Sequence, residues 1–183
     1  MQDKAQLRKK YLIIRKKKYF ETNENFFKPI LSIFKKKFTN KKVFLSIYYP
    51  SNYEVNILNF LNILDLKKII TLLPSVKLKN MKFFRWKKYD NLIVNKFGML
   101  EPLINNSHVV PNIILLPLLA YDKKKYRLGY GKGYYDSYLN KYLSRNKDIT
   151  TIGIAFSFQK HNKLPISKHD VKLDYILTEK GLK

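Results

Sequence analysis

A continuous apolar run at 113–116, Ile-Ile-Leu-Leu, ends at Pro117 and is followed shortly by RLGYGKGYYD at 127–136. Beyond that segment, Tyr135, Tyr138, Leu139 and Tyr142 recur at helical spacing across 134–143. Four large apolar residues in a row suit a strand covered on both faces, and the period after them suits an amphipathic helix. Strand, glycine-rich loop and helix form the unit from which sheets with crossover helices are assembled.

The remainder of the chain keeps that alternation. The stretch 4–18 lacks Gly and Pro and spaces Leu7, Tyr11 and Ile14 as a basic amphipathic helix. A second helix is predicted on the face Phe26, Ile30 and Phe34, joined by Phe27 and Leu31, with Thr22 and Asn23 as candidate caps and Pro29 early enough to be tolerated. Strands are predicted at 42–49, at 69–73 where Pro74 stops the run, and at 81–86, 113–116, 150–156 and 173–177, with a further helix at 56–66. The expectation is an α/β fold in one domain, 1–183, with a mixed, mostly parallel sheet flanked by helices.

Charge and composition restrict the function. The 37 Lys and Arg residues against 13 Asp and Glu give a net charge of +24, which would suit a nucleic-acid or anionic-membrane partner. The lysines are scattered in short clusters at 16–18, 35–37, 41–42, 67–68, 87–88 and 123–125, the pattern of solvated faces. An aromatic RNA-binding pattern, a zinc finger and a recognition helix with its adjacent turn are all missing, so no specific nucleic-acid partner is expected. No cysteine is present, which excludes disulfides, a thiolate nucleophile and thiolate zinc sites. The longest apolar stretch, 113–121, is too short to cross a bilayer, and no signal-type segment precedes the first helix; a cytoplasmic monomer without a membrane partner is expected.

The glycines at 129, 131 and 133 let backbone amides approach an anion with no Cβ in the way, and the next helix adds its unpaired N-terminal amides. Arg127 would contribute a fork and Lys132 a point charge. The spacing is neither that of a Walker A loop nor that of the dinucleotide fingerprint, whose final glycine is lacking. A Gly-Tyr turn between strand and helix, with incidental cations, would look the same from the glycines alone.

The wider segment 116–139, LPLLAYDKKKYRLGYGKGYYDSYL, resembles the signature of the 5-formyltetrahydrofolate cyclo-ligases. Lys4 with Leu7-Arg8, the stretch 48–55 ending in Glu-Val, and Glu101-Pro102 resemble earlier parts of the family pattern. Phe158-Gln159, Pro165, His169-Asp170, Leu173-Asp174 and Thr178-Glu179 resemble its close. Leu118 departs from it, standing where many members have Gly, and 77–90 does not follow it, which leaves part of the folate pocket unassigned.

The resemblance implies a phosphosugar-isomerase/CoA-transferase-like fold and an ATP- and Mg²⁺-dependent closure of 5-formyltetrahydrofolate to 5,10-methenyltetrahydrofolate. It places Lys4, Arg8, Arg127, Leu128, Gly129, Tyr130, Gly131, Lys132, Gly133, Tyr134 and Tyr135 on ATP, with Lys132 and Arg127 acting in phosphoryl transfer. Asp136 and Asp170 would bind magnesium. Glu54 would accept hydrogen bonds from the pterin, and Tyr49, Tyr134 and Tyr135 would line its face. Arg15 shares the Lys4 and Arg8 stripe but is expected to be an ordinary solvated cation, and His108, His161 and His169 are too dispersed for a metal site. A basic surface would favour polyglutamylated folates.

Overall fold

The apolar run at 113–116 becomes the central strand of a seven-stranded sheet. The computed structural model describes residues 3–39, 41–65, 67–96, 98–104, 106–144 and 149–183. Among these the elements are α1 (Lys4–Lys18), α2 (Lys28–Lys37), β1 (Val43–Ser46), β2 (Ile69–Lys77), β3 (Asn80–Arg85), β4 (Leu92–Val94), β5 (Leu100–Pro102), β6 (Ile113–Pro117), β7 (Ala120–Tyr121), β8 (Arg127–Leu128), α3 (Tyr134–Leu143), β9 (Thr150–Ile154), β10 (Tyr175–Thr178) and β11 (Gly181–Leu182). The sheet order is β11-β10-β9-β6-β1-β2-β3. Pairing is parallel from β10 through β2 and antiparallel at both edges, so the expected mixed, mostly parallel α/β sheet is what forms.

The period-two alternation of strands divides the core. Leu45, Ile47, Ile113, Leu115 and Ile152 face α2 and the segment 57–63, whereas Leu72, Ile114, Leu116 and Ile176 face α3 with its Tyr138 and Leu139. Helix α1 lies elsewhere: Leu7 and Tyr11 pack on Leu119, Ala120, Leu128 and Leu164, around the β7–β8 hairpin. Burying a leucine there contributes about 1.5–3 kcal/mol, which is what anchors a helix so rich in charge.

Several sequence expectations change on folding. Strand β2 does not stop at Pro74 but continues to Lys77. Pro74 pairs opposite Phe83 beyond the point where β1 leaves the sheet, Ser46↔Leu72 being the last β1–β2 pair. Its missing N–H points to that vacated side, where the next outward amide, Val76, is taken by the Glu101 carboxylate at 3.0 Å. The expected helix at 56–66 is a 3-10 helix, Ile57–Ile63, capped by Asn56, and Leu66 lies outside the described residues. The second helix is split, with a 3-10 turn, Glu24–Phe27, capped by Asn23 rather than Thr22, running into α2. The strand expected at 173–177 begins at Tyr175, because the Leu173 amide turns away to the Lys125 carbonyl at 3.1 Å. The small β4–β5 and β7–β8 hairpins were not foreseen.

From β1 the chain moves outward to β2 in one direction and, later, to β6, β9 and β10 in the other. The carboxyl ends of β1 and β6 therefore flank a topological switch point, the place where open α/β sheets leave a crevice. No helix among the described residues is long and apolar enough to cross a membrane.

Candidate active site

Three segments reach the crevice mouth from outside the sheet. Asp3 caps α1, its carboxylate accepting the Gln6 amide at 2.7 Å, so the helix starts at Lys4. A cation in the first turn opposes the helix dipole; Lys4 is held there by an ion pair with Asp170. One turn on, the Arg8 Nε donates to the Gly129 carbonyl at 2.9 Å. A Cβ on Gly131 would stand 3.1 Å from the Arg8 guanidinium carbon, and Gly131 has a φ of 98°, so the loop needs glycine for both reasons. Gly133, also left-handed, enters α3 with no side-chain cap, and the first amides of α3 face the loop.

Asp136 sits in the first turn of α3, where a carboxylate is favoured. Its Oδ1 accepts the Val171 amide at 3.4 Å and lies 2.9 Å from Arg127 Nη2 in an ion pair. The Val171 contact ties the start of α3 to the backbone next to Asp170. Burial would raise the Asp170 carboxyl, but the Lys4 ammonium and the Ser167 amide outweigh it and hold the group below the usual carboxylate range.

Glu54 comes from the carboxyl side of β1. The Ser51–Glu54 turn, closed by Glu54 N to Ser51 O at 2.9 Å, passes through left-handed Asn52 (φ 47°) and Tyr53 (φ 61°). A bulky residue in that region is a strained exception. The Glu54 side chain points inward, where Oε2 accepts the Ser51 amide at 2.9 Å and Oε1 accepts the Tyr130 hydroxyl at 2.5 Å. Burial raises its carboxyl above the ordinary range, against the opposing pull of Tyr130 and the Arg15 charge. Arg15 is itself buried, donating to the Leu118 carbonyl at 3.2 Å and to the Tyr130 hydroxyl at 2.5 Å.

The chain matches the model of the 5-formyltetrahydrofolate cyclo-ligase family over residues 1–179. It belongs to that family. A 5-formyltetrahydrofolate cyclo-ligase of Mycoplasma genitalium is 37% identical over 137 residues, 73% of this chain and 70% of the relative. The Aquifex aeolicus 5,10-methenyltetrahydrofolate synthetase superposes with a TM-score of 0.75 at 31% identity, covering 98% of this chain and 91% of that one. The corresponding synthetase of Mycoplasma pneumoniae gives 0.72 at 28% identity, over 97% and 99%. The chain is thus an enzyme of the cyclo-ligase family, whose members use ATP in general.

Against that family background, the structure gathers Lys4, Arg8, Arg127, the 128–136 loop and helix start, Asp170 and Glu54 into one crevice. Lys132 lines a cleft of about 750 Å³ beside Tyr134; the β2–β3 turn contributes Leu78 and Lys79 to its far wall, and Lys96 joins them. The stretch 77–90, which the family pattern left unassigned, therefore supplies part of that wall. Tyr49 is half-buried with its ring edge-on to Trp86 at 6.4 Å. Its neighbour Tyr48 faces the cluster, for Glu54, Tyr130, Arg15 and Tyr135 all act on its raised phenol after burial. Leu118, the family departure, is buried, with its Cδ2 at 2.8 Å from where a Cβ on Gly153 would stand. The glycine thus leaves the room that leucine fills.

The expectation of a solvated Arg15 is overturned: the residue is 1% exposed. Of its two relatives on the helical stripe, Lys4 meets Asp170 and Arg8 meets the loop, and the same periodicity carries Arg15 to Tyr130. The donors Arg15 Nε, Arg127 Nε and Tyr135 OH are buried without a hydrogen-bond partner. No cluster of three or more His, Asp or Glu side chains suited to a metal occurs among the described residues. Asp136 and Asp170 are each engaged by a cation, Arg127 and Lys4, and carboxylates in that number and of that type are what magnesium takes, completing its shell with water and phosphate.

Proposed function

We propose that the crevice closes 5-formyltetrahydrofolate to 5,10-methenyltetrahydrofolate at the expense of ATP, releasing ADP and phosphate. The observation that carries this reading is the convergence of phosphate-type donors and one buried carboxylate on a single loop: Arg8 bonds Gly129, and Tyr130 bonds Glu54. A formamide oxygen is a poor leaving group, and transfer of the γ-phosphoryl group to it makes it a good one. The folate's anilinic N–H nitrogen then attacks the formyl carbon and gives up its proton, and the C–O bond breaks as phosphate departs, leaving the methenyl bridge.

The protein's task is positioning and charge stabilisation. Lys4, Arg8, Arg127 and the amides of 128–135 hold the triphosphate. Lys132, on the cleft wall, faces the group that moves and, with Arg127, offsets the charge that develops. Asp136 and Asp170 hold magnesium, which neutralises phosphate oxygens when bound; Arg127 and Lys4 orient those carboxylates. Glu54 keeps unused lone pairs on both oxygens for the pterin's amino and ring N–H groups. Tyr134 and Tyr135 border the ring, and Tyr49 supports the wall through Trp86. The whole chain, 1–183, serves this one activity as a monomer.

The test is an absorbance assay. Purified protein with Mg²⁺-ATP and 5-formyltetrahydrofolate is expected to generate the methenyl-folate band, and omission of ATP or addition of EDTA to abolish it. Folded protein that gives no band under complete conditions sinks the reading.

A further inference from the structure

Two sites with different chemistry share a residue. The loop that forms the phosphate cradle contributes Tyr130, whose hydroxyl lies 2.5 Å from both the Glu54 carboxylate and the buried Arg15 guanidinium. The Arg15 guanidinium also lies 5.5 Å from the Tyr130 ring centroid. Although 38% of Tyr130 remains exposed, its polar end is thus turned inward and pinned between opposite charges. Its neighbour Gly129 is pinned on the other side by Arg8. Arg8 and Arg15 are seven residues apart, two helical turns, so a single rigid helix fixes both contacts.

We propose that Arg15 and Tyr130 are positioning residues that couple the phosphate loop to the Glu54 carboxylate, so that nucleotide and formyl-folate each tighten the other's binding. This rests on the activity proposed above. A triphosphate on the amides of 129–133 restrains the loop backbone and hence the Tyr130 side chain. The restrained hydroxyl holds Glu54 Oε1 in one orientation, while Ser51 holds Oε2. Nucleotide and folate thus act on the two ends of one hydrogen-bonded unit, and each meets it in the arrangement that the other favours. Coupling of this kind is reciprocal. The Arg15 charge opposes the rise that burial imposes on the Glu54 carboxyl.

The experiment is calorimetric titration of 5-formyltetrahydrofolate with and without a saturating β,γ-imido analogue of ATP plus Mg²⁺. In the wild type the analogue is expected to tighten folate binding about tenfold. In Tyr130→Phe, which keeps the ring and loses both hydrogen bonds, the ratio of the two dissociation constants is expected to fall to near one while the analogue still binds. A merely structural role would weaken both constants together and leave the ratio as in the wild type. An unchanged ratio in Tyr130→Phe, or a ratio of one in the wild type, overturns the coupling while normal turnover leaves the activity standing. Wild-type protein that neither binds nor turns over the folate overturns both.

Discussion

The loop at 129–133 and the turn at 51–54 both run through left-handed backbone, but they reach it by different means. The loop uses Gly131 and Gly133, with φ of 98° and 71°, for which the conformation carries little strain. The turn uses Asn52 and Tyr53, with φ of 47° and 61°, and Tyr53 is held there against its intrinsic preference by the surrounding contacts, including an edge-on ring contact with Tyr19 at 5.8 Å. The loop faces outward, and two of its glycines leave room for the arginines beside them, Gly129 for Arg127 and Gly131 for Arg8. The turn faces inward and delivers a buried carboxylate. Glycine marks where something must approach the backbone; strain in a larger residue marks where the backbone must aim a side chain.

The most severe challenge to this contrast is Lys132→Ala. The side chain lies on the cleft wall and its proposed work is charge stabilisation, so turnover is expected to fall by about 10²–10³-fold with the melting temperature unchanged. A large loss of stability would show the loop to be structural after all. Gly131→Ala comes next. The left-handed conformation of an alanine costs about 1–2 kcal/mol, and its Cβ presses on Arg8. Steady-state kinetics should show the KM for ATP raised about tenfold, and the melting temperature should drop by about 3–6 °C. The smallest effect is expected in the turn: Tyr53→Gly should relieve strain by about 0.5–1 kcal/mol, less what the Tyr19 contact contributes, and raise the melting temperature by about 1–2 °C. A drop instead would mean that the ring contact outweighs the strain.

The same contrast explains what could be read from the sequence. The α/β alternation was legible because each long element carries a clean period: helix α1 matches its expected bounds, and the apolar run at 113–116 lies at the sheet centre. Pro74 misled because a proline within a strand is judged by its neighbours in space, and those depend on where β1 turns away. The segment 56–66 misled because Ile57, Phe60 and Ile63 recur every three residues, the 3-10 spacing, while Ile57 with Leu61 also satisfies the α-helical one. Within the site, the glycine-rich loop announced itself by composition. Arg15 and Tyr48 did not, since a buried Arg on a lysine-rich helix differs from a solvated one only in what lies above it. Glu54 was reached through resemblance; its strained turn contains no residue that the sequence alone would single out.

Helix α1 has a consequence for how the chain can vary. Lys4 and Arg15 touch opposite ends of the crevice and are separated along the helix by about 16 Å at 1.5 Å per residue. The helix is therefore a gauge, setting the span between the Asp170 end and the Glu54 end. Removal of one residue between Arg8 and Arg15 would turn everything beyond it by about 100°, swinging the guanidinium out from under Tyr130 without altering the loop, the strands or the carboxylates themselves. Many of its exposed lysines are open to exchange; its length between those contacts is not.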